Sequence, residues 1–290
     1  MQTKGPVKRV LFVVVQVFGL LPGGEAGKGK GSILDMELQP SERLDDLLTH
    51  ELRIIQSREV FSFSMDAVLL AHFAGVPPSG RIVDLCTGNG VIPLLLTTRT
   101  RASIDAVEIQ PRLADMARRS VEINGMGSRI RIVEGDLREK SRELGWGSYD
   151  AVTVNPPYMP PLTGDRNGNE HYAVARHEVH GTLEEIVENC ARLVRTGGKV
   201  SMVHRPGRLV EILASMTRWK LEPKRLRFVH PHAGSEANMV LIEAVRDAKP
   251  SLRLLPPLIV YADKERYSQE IMDIYYGHKG GSADEQAKEL

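Results

Sequence analysis

The tetrapeptide Asn155-Pro156-Pro157-Tyr158 directly follows an apolar run, residues 149–154, that reads as a buried strand. These residue types at this spacing suit one chemical problem. An exocyclic amine conjugated to a ring is a poor nucleophile because its lone pair is delocalised. If the side-chain oxygen of Asn155 and the main-chain carbonyl of Pro156 accept its two N–H bonds, the nitrogen is drawn toward tetrahedral geometry and its lone pair is directed at an electrophilic carbon. The prolines fix φ, so the carbonyl is held in place before a substrate arrives. Tyr158 offers a ring on which a planar group can stack, worth about 1–3 kcal/mol for a base. Asn155, Pro156 and Tyr158 are therefore the expected catalytic residues, and Pro157 and Tyr158 the expected substrate contacts.

A second cluster supplies the place for a cofactor. The run Asp84-Leu85-Cys86-Thr87-Gly88-Asn89-Gly90 closes a strand and turns into a helix, with Gly88 and Gly90 where the backbone must approach a ligand. The third glycine of a dinucleotide fingerprint is missing, because Pro93 stands there, which argues against a nicotinamide cofactor. Glu108 lies about 20 residues beyond the glycines, where a carboxylate can accept from ribose hydroxyls. Asp136 closes the next strand and can receive an adenine amino group. Asp84, Glu108 and Asp136 thus end three successive strands. A cationic sulfonium carrying a ribose and an adenine suits such a rim better than a pyrophosphate, which requires helix N-termini and cations.

Together these motifs resemble the class I, Rossmann-like methyltransferases, and the Asn-Pro-Pro-Tyr string resembles their amino-methylating branch. Within that branch the chain looks most like the bacterial tRNA adenine-N6 methyltransferases that act beside the anticodon of valine tRNA. The resemblance runs over residues 42–277. It includes Phe61-Ser62-Phe63-Ser64-Met65-Asp66-Ala67, the segment that folds over the cofactor in such enzymes, and Ala175-Arg176-His177-Glu178 in the loop after the catalytic motif, where substrate enters. The resemblance implies S-adenosyl-L-methionine as cofactor, with Asp66, Asp84, Thr87, Gly88, Asn89, Gly90, Glu108, Ile109, Asp136, Leu137 and Asn155 at its site. It implies RNA, in particular tRNA, as partner, with Arg176, His177 and Arg205 joining Pro157 and Tyr158 on the substrate side. No metal is implied.

The elements that must position these residues alternate in the manner of a parallel sheet covered on both faces. Strands are expected over 81–85, 104–107, 130–133, 149–154 and 199–203, with helices over 92–98, 111–124, 138–144 and 182–194. A helix over 207–219 leads into two strands, 225–230 and 239–244, with no helix-length segment between them. The fold class is therefore α/β, a mostly parallel seven-stranded sheet with an antiparallel β-β ending. Upstream, Leu44, Leu47, Leu48, Leu52 and Ile55 recur at helical spacing behind a capping Ser41, which predicts a leading helix. A second short helix should start near Asp66 and end by Gly75. After 249 the prolines predict an extended tail, then a short helix over 268–276 and a disordered end.

These patterns divide the chain into an N-terminal helical segment (36–78) packing on the cofactor site, a catalytic domain (79–246) and a C-terminal segment (247–290). Residues 1–35 read as a disordered or artefactual extension, ahead of a core strand or a signal peptide, with Met36 as an alternative start. Their apolar run, 10–21, falls short of the roughly 20 residues of a bilayer span, so no membrane partner is expected. Two separated cysteines, Cys86 and Cys190, argue against a disulfide scaffold or zinc site, read as core residues and fit a reducing, cytoplasmic setting. With 38 Lys and Arg against 37 Asp and Glu, overall charge selects no partner. The stretch 192–232 does concentrate ten cations, among them Arg205, and reads either as a solvated face or as a surface for phosphates. Adenine N6 in RNA is the favoured acceptor; a protein glutamine amide, rRNA or DNA adenine, and a non-catalytic RNA-binding protein are the alternatives.

Overall fold

The computed structural model describes residues 38–47, 50–60, 64–158, 181–264 and 266–276. Its frame is one large sheet whose strands run in the order Arg253–Leu254, Leu221–His232, Met239–Arg246, Val194–His204, Tyr149–Val154, Arg81–Leu85, Ser103–Glu108 and Ile130–Glu134, with Leu258–Tyr261 also paired to Leu221–His232. The central strands are β3 (Arg81–Leu85), β4 (Ser103–Glu108), β5 (Ile130–Glu134), β6 (Tyr149–Val154) and β7 (Val194–His204), all mutually parallel. The two strands after them, β8 (Leu221–His232) and β9 (Met239–Arg246), pair antiparallel, and β9 is antiparallel to β7. The seven expected strands are present in that arrangement. The proline-containing tail adds β10 (Arg253–Leu254) and β11 (Leu258–Tyr261), both parallel to β8.

The helices are α1 (Met65–Phe73), α2 (Val91–Leu96), α3 (Pro111–Ile123), α4 (Leu137–Leu144), α5 (Leu183–Leu193), α6 (Leu209–Arg218) and α7 (Gln269–Tyr276). They cover both faces. On one side Ile82, Ile104 and Ala151 pack with residues of α1, α2 and Ile271 of α7; on the other Val83, Val152 and Met202 pack with residues of α5 and α6. This is the consequence of period-two alternation in strands buried on both faces. Local sequence marks the helix starts: Pro111 begins α3, Asp136 caps α4, and Thr182 with Glu185 forms a capping box on α5.

The expected leading helix over 41–55 is not there. That stretch forms an antiparallel pair, β1 (Glu42–Asp46) with β2 (Arg53–Ser57). The leucine spacing fits a helix, but side chains far away in sequence take up the backbone groups of β2. Ser120 accepts from the Ile55 N–H (3.0 Å), Asn124 accepts from the Arg53 N–H (2.9 Å), and Asn89 donates to the Ile55 carbonyl (3.0 Å). Only an extended chain can offer these groups to α3 and the glycine loop, and tertiary pairing overrides a weak local preference. Arg119 adds two 2.7 Å bonds to Glu42, whose side chain is sealed from solvent.

Candidate active site

The sheet order reverses direction between β3 and β6: from β3 the chain moves outward to β4 and β5, then returns to the other side of β3 to form β6. The crevice beyond the carboxyl ends at such a switch point is where open α/β sheets place ligands. The register sets Leu85 beside Val107 on one side and Val154 on the other, so Cys86, Glu108 and Asn155 leave their strands at one level. A cleft of about 950 Å³, open mouth included, lies over them. It is lined by Thr87, Gly88, Asn89, Glu108, Ile109, Asp136, Leu137, Asn155 and Pro157, all expected site residues. Its described lining includes no lysine or arginine.

The two glycines have different duties. Gly88 has φ +60°, and a Cβ added to it would meet nothing within 4 Å, so its open side is the cleft. Gly90, at φ +90°, faces the protein instead: an added Cβ would lie 3.2 Å from the Cβ of Ala117 on α3. Glu108, 5% exposed, braces this loop, accepting from the Gly88 N–H at 2.8 Å and, through its other oxygen, from the Gln110 N–H at 2.8 Å. Burial raises its pKa, and these main-chain donors oppose the shift.

Asp84 is not on the rim. It is fully buried beneath it, one oxygen accepting from the Thr153 hydroxyl at 2.6 Å and the other shielded from solvent. Burial lifts its pKa to about 7, against the lowering pull of Thr153 and Thr87. Asp136 lines the cleft and caps α4, with its carboxylate also bound by the Arg138 guanidinium at 2.9 and 3.1 Å. Asn89 spends its amide on the carbonyl of Ile55, so it anchors the β1–β2 hairpin to the loop.

The catalytic string closes the site. Pro156 is buried; Asn155, Pro157 and Tyr158 are half-buried. The Tyr158 hydroxyl lies 2.6 Å from the Asn155 side-chain oxygen and also bonds a carboxylate oxygen of Asp66 on α1. Arg205, just after β7, sets its guanidinium 4.9 Å from the centre of the Tyr158 ring and donates to the Asn238 carbonyl at 2.9 Å. His204 meets the same ring edge-on, 5.2 Å between centres. Burial lowers the His204 pKa to about 4, so its imidazole is neutral at physiological pH. Its Nδ1 accepts from the Arg205 N–H at 2.8 Å.

Arg176 and His177 lie outside the described residues. Cys86, expected in the core, instead lines the cleft in a left-handed conformation, φ +58°. Burial drives its thiol pKa above the usual value, which disfavours the thiolate. Sequence reasoning also passed over Ile92, Leu113 and Ile186, apolar walls of the cleft that any helix interior could have supplied.

Comparison with known proteins agrees with this geometry. The family model for the methyltransferase small domain matches residues 51–213. Among curated proteins, the tRNA1(Val) (adenine(37)-N6)-methyltransferase of Aeromonas salmonicida is 29% identical over 194 residues, 66% of this chain and 80% of that protein. The protein of the same description from Tolumonas auensis is 28% identical over 226 residues, 77% of this chain and 91% of its own. Among solved structures, one described as a predicted O-methyltransferase from Agrobacterium tumefaciens superposes with a TM-score of 0.60 at 24% identity, covering 73% of this chain and 96% of that one.

Proposed function

We infer, for a chain that belongs to the methyltransferase small domain family, that it transfers a methyl group from S-adenosyl-L-methionine to the N6 nitrogen of an adenine in tRNA, adenine 37 being the favoured position. One observation carries the reading: Asn155, followed by two prolines and Tyr158, opens onto the same cleft as Gly88 and Glu108 at the switch point of the sheet. The cofactor suits the residues present. The cleft holds the carboxylates of Glu108 and Asp136, the latter also bound by Arg138, and Gly88 leaves room for close approach. Glu108 has lone pairs beyond those used by Gly88 and Gln110 with which to accept from ribose hydroxyls. Asp136, Ile109 and Leu137 would flank the adenine. The bound cofactor would supply a methyl carbon made electrophilic by sulfonium.

The chain's own residues prepare the acceptor. Asn155 and the main-chain carbonyl of Pro156 accept the two N–H bonds of the amine and free its lone pair for in-line attack, while Tyr158 stacks on the base. Positioning of this kind reaches effective molarities of roughly 10⁵ M or more. Held this way, the nitrogen would gain the methyl group that the sulfonium gives up and would pass its extra proton to water. The tRNA acceptor is supported by the relatives from Aeromonas salmonicida and Tolumonas auensis, both described as acting on adenine 37. An enzyme of this kind would work in the cytoplasm, where tRNA is.

Methyl-labelled cofactor should label an unmodified tRNA1(Val) transcript and yield N6-methyladenosine on nucleoside analysis, with the label lost when adenine 37 is replaced by guanine. Labelling of a protein glutamine, with none in RNA, would overturn the acceptor assignment.

A further inference from the structure

The proposed transfer needs the oxygen of the Asn155 carboxamide, and not its NH₂ group, turned toward the acceptor amine. The two ends of a carboxamide have the same shape, so hydrogen bonds alone decide which way it faces. Among the described residues, those bonds around Asn155 run through one hydroxyl. The Tyr158 oxygen is within bonding distance of both the Asn155 amide, at 2.6 Å, and Asp66. A phenol has a single proton to donate, so it cannot serve two acceptors at once.

Asp66 has the stronger claim to that proton. It is 5% exposed, and its other oxygen already accepts from the Ser64 hydroxyl at 2.6 Å and the Ala67 N–H at 2.8 Å. Together with Tyr158 these are three donors, a set that an acceptor-only carboxylate satisfies. Hydrogen bonds to an ionised acceptor are roughly twice as strong as neutral ones. Once the Tyr158 proton lies toward Asp66, the phenolic oxygen meets the amide as an acceptor. The amide then settles with its NH₂ group on Tyr158, after an adjustment of about 0.2–0.3 Å to the usual N–H···O length, and its oxygen on the opposite side.

We propose that Asp66 is a positioning residue for methyl transfer: by taking the proton of the Tyr158 hydroxyl, it makes the tyrosine oxygen an acceptor for the Asn155 NH₂ group and turns the Asn155 oxygen toward the amine. The inference rests on the amino-methylating reading of the site. It departs from the expectation that Asp66 contacts the cofactor, and Asp66 is not among the residues lining the cleft, although its neighbour Ala67 is. It also gives the segment before the first central strand a part in the chemistry, since α1 carries this carboxylate to the far end of β6.

The test exploits a sign that a structural role does not produce. In Asp66→Ala the Tyr158 proton turns to the Asn155 oxygen and holds it the wrong way, so kcat should fall about 3- to 30-fold, the equivalent of one misplaced hydrogen bond, with cofactor affinity unchanged by calorimetry. Adding Tyr158→Phe removes that donor, and the double variant should recover part of the loss. Additive losses, or a drop in cofactor affinity matching the drop in kcat/KM, would overturn the proposal. A second measurement needs neither an acceptor nor a stable Asp66 variant. In protein labelled with ¹⁵N-asparagine, the Asn155 NH₂ resonances, assigned through Asn155→Ala, should shift in Tyr158→Phe; unmoved resonances would contradict the inference. Because the spectrum is read without RNA, a wild type that leaves tRNA unlabelled would count against the proposed acceptor alone.

Discussion

Asp84 carries the largest electrostatic liability in the described part of the site. Its carboxyl is fully buried with Thr153 as its hydrogen-bonded partner, and its pKa rises from 3.8 to about 7. A carboxyl whose pKa is raised by folding favours the folded state while protonated. Its contribution is complete below pH 3.8 and is lost as pH climbs to about 7, a change on the order of 4 kcal/mol. Asp84→Asn keeps an acceptor for Thr153 but cannot ionise. In urea unfolding it should gain on the wild type steadily between about pH 4 and pH 7; a constant difference across that window would contradict the assignment. The sequence showed Asp84 at a strand end, next to a glycine loop, but not which way it points. Strand alternation sends it inward with Ile82, toward α1 and α2, whereas Glu108 at the neighbouring strand end reaches the loop.

The strand-to-helix turn after β3 shows how one element divides its duties. Gly88→Ala should cost only about 1–2 kcal/mol of stability, the price of a left-handed alanine, while sharply weakening cofactor binding, because its open side is the cleft. Gly90→Ala meets Ala117 at 3.2 Å in addition to its own strained φ, so thermal melting should fall further for Gly90→Ala than for Gly88→Ala, with the order reversed in calorimetry of cofactor binding. Equal effects of the two on both quantities would refute this division. The alternating α/β elements were legible because their signals are local: apolar runs for strands buried on both faces, 3.6-residue periodicity for α3 and α5, Thr182 and Glu185 at a helix start. The β1–β2 hairpin was not, since what makes it extended is Ser120, Asn124 and Asn89, side chains from elsewhere in the chain that bond its backbone. The same limit applies to Asp66, whose spacing from Asn155 in sequence gives no hint that one hydroxyl joins them.

Across the whole molecule, four of the ten cations of residues 192–232 are paired with acids that the fold brings from other elements. Arg195 pairs with Asp150, Arg218 with Glu184, Arg225 with Glu243 and Arg227 with Glu270, all at 2.6–2.9 Å. The solvated-face reading of that stretch gains from these pairs, and a chain of near-zero net charge has little general attraction for a polyanion. Arg205, whose guanidinium lies over the Tyr158 ring, pairs with none of these acids. In the proposed transfer Asn155 acts on the reacting nitrogen and not on the cofactor. The direct measurement is single-turnover methyl transfer by Asn155→Ala beside calorimetry of cofactor binding. Loss of a preorganised partner in the transition state predicts a rate lower by about 10²–10³-fold with wild-type cofactor affinity, whereas an undiminished rate, or a rate that falls only as far as cofactor affinity falls, would contradict it.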